Sequence, residues 1–346
     1  MIEQSPKVSI VVAVYNIEKY IREALDSVVN QTLSDIECIC VNDCSTDDSL
    51  AILNEYAQKD SRIKVFSMDK NSGPGVVRNY GLEKATGEYI MILDPDDFLE
   101  PEACEVAYKQ ISKNNNDLVI FSNYQYNDVN KTRKEYPKRI RPFVEQFDNP
   151  NICLKDFNKS FFCTGCTWSQ IYKRSFLMEN DIKYLDTYVC EDAFFLVKAY
   201  VCSSSISVIP KPLYNYRCAR PGSSTANEKR WEQVLLGKFA PLECIDASPH
   251  KEVFRKMYLQ NLVKSSQYYA GLYAKNNLKI SIMYSRKLQK YFIDLDKRYQ
   301  LKNYVDRKTY KKLKKIIRAS DFDIIFKCWL LKNKMFLKKI CSSICK

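Results

Sequence analysis

The chain has 346 residues, 46% hydrophobic and 27% charged, enough apolar side chain for a sizeable core and too little polar excess for a disordered polymer. Its one histidine, His250, excludes His-rich zinc sites and HExxH metalloproteases and leaves any Ser-His-Asp or Cys-His mechanism resting on a single residue in a polar stretch. The net charge of +13 is uneven: residues 251–346 hold 25 Lys and Arg against 6 Asp and Glu, whereas residues 1–250 hold 29 against 35, an acidic body with a basic tail.

Val8–Val14 is a short β-branched run that predicts a buried parallel strand. Ile21, Leu25, Val28 and Val29 follow at the spacing of one helix face. Ile36–Val41 predicts a second buried strand, Ser49–Asp60 a second helix, and Ile63–Ser67 and Tyr89–Leu93 further strands. Pro101 is read as opening another helix at the first-turn position that tolerates proline, and Asp117–Ser122 as one more strand. Such alternation predicts a parallel sheet with helices on both faces, whose chemistry lies in loops beyond the carboxyl ends of the strands. From about 126 to 225 the alternation weakens, with an exposed basic loop at 131–141. From about 226 the pattern is helical.

The start of the sequence, residues 1–7, lacks the pattern of a secretory leader, so the 14 cysteines are expected as reduced thiols. Cys38 and Cys40 read as small core residues. Cys163 and Cys166 form the one C-x-x-C, with no second pair and no nearby histidine to make a zinc site. No stretch reaches the ~18 apolar residues of a spanning helix.

The loops carry the functional signal. Tyr15-Asn16 follows the first strand, and no glycine occurs before Gly73, so the Gly-x-Gly-x-x-Gly turn of dinucleotide folds is missing. A nucleotide diphosphate bound here needs some other neutralisation. Asp43 ends the second strand, where its carboxylate could accept a base N–H; alternatively Ser45, Thr46 or Asp47 simply caps the next helix. Asp94, Asp96 and Asp97 crowd the end of the fourth strand. Their mutual repulsion is relieved by a cation such as Mg²⁺ or Mn²⁺, held by one or two carboxylates plus substrate phosphates. The other reading is an Asp-rich helix start.

Taken together, Val8–Asn16, Asn42–Asp47, Asn71–Gly81 and Asp94–Asp97 resemble the motifs of family 2 glycosyltransferases with the GT-A fold, of the bacterial cell-surface polysaccharide type. The resemblance continues through Trp168–Arg174, Glu191–Phe195, Tyr214–Arg217 and Ser223-Ser224. It covers about residues 6 to 225. It implies a GT-A domain over 1–225, with a nucleotide-sugar half at about 1–100 and an acceptor half at about 101–225, then a basic helical region over 226–346. The fold implied is a Rossmann-like, mostly parallel α/β sheet with flanking helices.

The resemblance also implies roles. Tyr15 would pack on the nucleobase and Asp43 accept its N–H, with Arg78 near the nucleotide-sugar. Asp94 and Asp96 would form the D-x-D pair, Asp96 as the direct contact of Mn²⁺ or Mg²⁺. Asp192, paired with Glu191, would be the catalytic base of an inverting transfer from a UDP-sugar to a glycan or lipid-linked acceptor, and Trp168 would line the acceptor cleft. Ala13, Cys44, Val77 and Gln170 depart from the common pattern, and Cys44 is expected to leave its loop less free to adopt φ > 0.

The tail, 307–318 and 327–340, mixes lysine with Ile, Leu, Phe and Trp329; at helical spacing Phe322, Ile325, Phe326, Trp329, Phe336, Leu337 and Ile340 share a face, as in a membrane-surface helix, whereas Ile324, Leu331 and Met335 fall opposite, the pattern of a helix buried on two sides. It is expected to attach a cytoplasmic protein to the inner face of a membrane, with no nucleic acid as partner. The competing classes are a non-catalytic nucleotide- or carbohydrate-binding module on the same fold and a basic-tailed nucleic-acid-binding protein.

Overall fold

The computed structural model describes residues 5–136, 151–152, 166–218, 230–325 and 327–328. Cys163, Ser223, Ser224, Phe326, Trp329, Leu331, Met335, Phe336, Leu337, Ile340 and the 137–141 end of the basic loop lie outside them. The chain forms two compact units, Met1–Gly222 and Ser223–Lys346.

The first unit is built on a sheet. Its strands are β1 (Val8–Val14), β2 (Ile36–Asn42), β3 (Ile63–Ser67), β4 (Tyr89–Leu93), β5 (Phe98–Leu99), β6 (Leu118–Asn127), β7 (Thr132–Glu135), β8 (Asn151–Ile152), β9 (Gln170–Lys173) and β10 (Ile206–Cys218). Their order is β3-β2-β1-β4-β9-β6-β10-β5, with β7 added to β6 and β8 to β10. The flanking helices are α1 (Ile21–Val29), α2 (Ser49–Lys59), α3 (Pro74–Lys84), α4 (Ala103–Asn114), α5 (Arg174–Glu179) and α6 (Glu191–Cys202).

β1, β2 and β4 are buried along nearly their whole length, which is why they read as continuous apolar runs. Their register sets the site. Val14 pairs with Asn42 and Val12 with Leu93, so the loops that open with Tyr15, Asp43 and Asp94 leave the same edge of the sheet.

The sheet is mixed, not wholly parallel: β9 runs antiparallel between β4 and β6. It is too short for periodicity to reveal. Pro101 does not open α4; it lies in the preceding turn, and the helix begins at Ala103. The first-turn proline belongs instead to Pro74 of α3, a helix masked in the sequence by the flanking Gly73 and Gly75. β10 was equally hidden. Pro210 and Pro212 interrupt it, and its register on β6 shifts at Ile209, Pro212 and Tyr214, as proline in a strand requires.

The second unit comprises α7 (Trp231–Phe239), α8 (Pro241–Ala247), α9 (Lys251–Asn276), α10 (Leu278–Tyr299) and α11 (Arg307–Ile317). α10 buries Ser281, Tyr284, Leu288, Phe292, Leu295 and Tyr299, a stripe at helical spacing. Asn277 and Asp306 cap α10 and α11, each accepting a first-turn amide. Among the described residues no helix is long and apolar enough to cross a membrane.

Candidate active site

α3 is the organising element. Gly73, just before it, has φ +88, and a Cβ there would come within 2.9 Å of the Tyr188 ring. A Cβ on Gly75 would lie 2.0 Å from the Leu185 carbonyl oxygen and 3.3 Å from Glu191 Cβ. The two glycines therefore let the 184–191 segment, which leads into α6, dock directly on the start of α3. Asn79 completes the joint with two bonds to the Tyr184 backbone: its Nδ2 donates to the carbonyl at 2.9 Å, and its Oδ1 accepts the amide at 2.8 Å. The Tyr188 hydroxyl donates to the Asn71 carbonyl at 3.1 Å.

Asp43 reaches the same place from β2. It is 3% exposed, and its two carboxylate oxygens accept the amides of Ser72 at 2.7 Å and Gly73 at 2.9 Å. None of Ser45, Thr46 and Asp47 is the N-cap of α2, which is Asp48 without a side-chain capping bond, although Asp47 Oδ1 accepts the Ser49 amide at 3.0 Å. Tyr15, 48% exposed, leaves β1 beside it, and the Asn16 side chain ties this loop to Thr46, accepting its amide at 2.8 Å. Cys44 does adopt a left-handed conformation, φ +58. The expected restriction is overridden at a strain of about 1–2 kcal/mol.

Arg78, on α3, is sealed between two carboxylates. One guanidinium nitrogen donates to Glu191 Oε1 at 2.6 Å and another to Asp94 Oδ1 at 2.8 Å, with its side chain 12% exposed. It also lies over the Tyr184 ring at 5.3 Å. Burial opposes its charge, but Asp94 and Glu191 more than offset this and raise its pKa well above the ordinary value. A single cation thus links the β4 loop to the start of α6, where Asp192 follows Glu191 in the first turn.

The three carboxylates after β4 have separate surroundings. Asp94 is paired with Arg78. Asp97 is buried; it accepts the Tyr214 hydroxyl at 2.8 Å and the Arg217 amide at 2.7 Å. Burial pushes its carboxyl well above the usual range, and the charges of Asp96 and Asp94 add to the shift. Asp96 is half-buried, and its backbone carbonyl accepts Arg217 Nε at 2.6 Å. Among the described residues no three His, Cys, Asp or Glu side chains gather into a metal cage.

Trp168 is 5% exposed and stacks on Tyr214 at 4.3 Å and on Tyr216 at 5.2 Å. Its ring packs into the core cluster, and Tyr216 is the exposed member of the stack. Tyr214 in turn accepts the Asp94 amide at 3.1 Å, so the aromatic stack braces the carboxylate loop.

Residues 9–179 match the family described as Glycosyl transferase family 2. That stretch of the chain belongs to the family. Among its relatives is EpsH of Bacillus subtilis, 37% identical over 222 residues, which are 62% of this chain and 61% of EpsH. Another is the poly(ribitol-phosphate) beta-N-acetylglucosaminyltransferase TarS of Staphylococcus aureus, 31% identical over 220 residues, 62% of this chain and 36% of TarS. The chain thus spans less than two thirds of either relative. The crystal structure of TarS 1–349 in complex with UDP-GlcNAc superposes with a TM-score of 0.73 at 23% identity, covering 96% of this chain and 92% of that one. That likeness establishes the GT-A fold with a helical C-terminal region. A more distant match is a mannosyltransferase of Pyrobaculum calidifontis in complex with GDP-Man and Mn²⁺, with a TM-score of 0.52 at 14% identity, over 95% of this chain and 88% of that one.

Of the residues singled out by the sequence motifs, Asp43, Asp94 and Asp96 lie just beyond strand ends, Arg78 lies on α3, and Glu191 and Asp192 open α6, with Arg78 bonded to both Asp94 and Glu191. Asn79, Tyr184, Tyr214 and Arg217 were missed as site-building residues. Asn79, Tyr214 and Arg217 lie inside the sequence motifs, yet only tertiary contacts reveal what they hold.

Proposed function

We propose that this chain is an inverting glycosyltransferase. It would move a sugar from a UDP-sugar to a hydroxyl of a glycan or lipid-linked acceptor in cell-surface polymer synthesis. The observation that carries this reading is the Arg78 clamp, which ties the D-x-D loop to the Glu191-Asp192 pair. The UDP-GlcNAc complex of TarS supports the choice of donor.

In this mechanism Tyr15 packs on the base. Asp43 accepts a base N–H on a lone pair not used by Ser72 or Gly73. Asp192 takes the acceptor proton as the hydroxyl oxygen bonds to the anomeric carbon. The bond from that carbon to the diphosphate breaks on the opposite face, and UDP leaves with the electron pair. The base must be ionised for this. Arg78 pairs with Glu191, the neighbour of Asp192, and the place of Asp192 in the first turn of α6 favours the carboxylate. A divalent ion held by Asp96 and Asp94 would stabilise charge on the departing diphosphate. The basic C-terminal region would attach the protein to the cytoplasmic face of an anionic membrane.

Release of UDP from UDP-glucose and UDP-GlcNAc tests the reading. Release that stops in EDTA and returns with Mn²⁺ or Mg²⁺ is expected. Absence of release from any nucleotide-sugar, with binding intact, would favour the non-catalytic module.

A further inference from the structure

In the helical unit α9 and α11 border a cavity of about 230 Å³ lined by Val263, Lys264, Asp306, Lys308, Thr309 and Lys312. Two one-turn pairs build it. On α9, Gln260 precedes Lys264 by four residues. On α11, Lys308 precedes Lys312 by four, so each pair shares one face of its helix. Gln260 locks the two helices together. Its Oε1 accepts the Asp306 amide at 2.9 Å, and its Nε2 donates to Asp306 Oδ2.

The cavity carries surplus positive charge. Lys264, Lys308 and Lys312 are exposed. The ion pairs of this unit among the described residues use Arg255, Arg286 and Arg298 instead. Asp306 is the one acid in the lining, and it is committed elsewhere. Its Oδ1 accepts the Thr309 amide at 2.7 Å and its Oδ2 the Thr309 hydroxyl at 3.0 Å. It is therefore a fixed helix cap whose charge acts on Lys264 but whose single negative charge cannot balance three ammonium groups.

We infer that this cavity is a binding site for a phosphate-bearing ligand. Three ammonium groups against one carboxylate leave a surplus of two positive charges, the complement of a phosphate monoester. Lysines on flexible stems can meet tetrahedral oxygens from several directions as point charges. A planar carboxylate is the better match for a bidentate arginine, and no arginine lines this cavity. A soluble phosphate ester and a lipid headgroup share the chemistry. The site stands independently of the proposed transfer reaction, because binding is read without turnover.

The test uses the full chain, with glycerol 3-phosphate as the soluble probe and vesicles containing phosphatidic acid, whose headgroup is likewise a phosphate monoester, as the lipid one. Titration calorimetry compares K264Q/K308Q/K312Q with K311Q/K314Q/K315Q, which removes equal charge from α11 outside the cavity. Saturable one-to-one binding, weakened about tenfold or more by the first triple and less than about threefold by the second, is expected. K312E alone should reproduce much of the loss. Binding of glycerol 3-phosphate supports a soluble source; cavity-dependent binding of vesicles only supports a headgroup. Equal loss in both triples, or no saturable binding of either probe, overturns the site. An unchanged thermal midpoint confirms that the variants are folded.

Discussion

Arg78 and Lys312 are both cations, one sealed between Asp94 and Glu191 and the other exposed beside a cavity, and each has counterparts within its own unit. In the sheet unit Arg217 is also buried, with its guanidinium on Asp128, Glu23 and the Asp96 carbonyl. Along 307–318 in the helical unit, all seven Lys and Arg are exposed and no acidic residue interrupts them. A buried cation has lost its water and must have fixed partners, so it fixes geometry. An exposed one keeps its hydration and acts through its field, within about a Debye length.

Breaking the buried side of this comparison should have the largest effect. Arg78→Met leaves two carboxylates without their shared counter-charge, and removing one partner of a buried pair costs about 3–5 kcal/mol. Urea unfolding should show a much lower midpoint, together with lost transfer. A variant as stable as the parent would mean that the clamp is not a buried network. Gly75→Ala comes next. Its Cβ would meet the Leu185 carbonyl oxygen at 2.0 Å, so the 184–191 segment must shift, at about 1–3 kcal/mol. Transfer should fall more than stability does, since that segment carries Glu191 and Asp192 into place.

On the exposed side the effects are smaller. Bonding to the Thr309 amide, followed by Gln260, holds the Asp306 carboxyl at about 2, below the ~3.9 of an unperturbed aspartate. Its folded pKa is depressed, so its contribution is fully present above about pH 4 and is lost as the pH falls toward 2. An acid titration of melting temperature should show this loss, and Asp306→Asn should flatten it. Lys311→Gln should leave the unfolding midpoint unchanged, as a lone exposed charge contributes little.

The legible part of the sequence was the part governed by local rules. β1 to β4, α1 and α2 each carry an uninterrupted period, and their carboxyl-end loops hold the acidic residues. α3 was hidden because Gly73 and Gly75 look like turn residues, although they serve the close approach of the 184–191 segment. β10 was hidden by two prolines. The stacking of Trp168 on Tyr214 and Tyr216 depends on β10, a strand that no local pattern reveals. Asp43 was legible as a carboxylate at a strand end, whereas its grip on the Ser72 and Gly73 amides was not. That contact spans 30 residues and no local pattern encodes it.

The central claim is that Asp192 is the base of a site whose donor-binding groups lie on other loops. Single-turnover transfer by Asp192→Asn, measured beside its UDP-sugar dissociation constant, tests this most directly. The account predicts transfer reduced by about 10²–10⁴-fold with donor affinity within about twofold of the parent. Transfer at the parental rate, or a parallel loss of donor affinity, would contradict it.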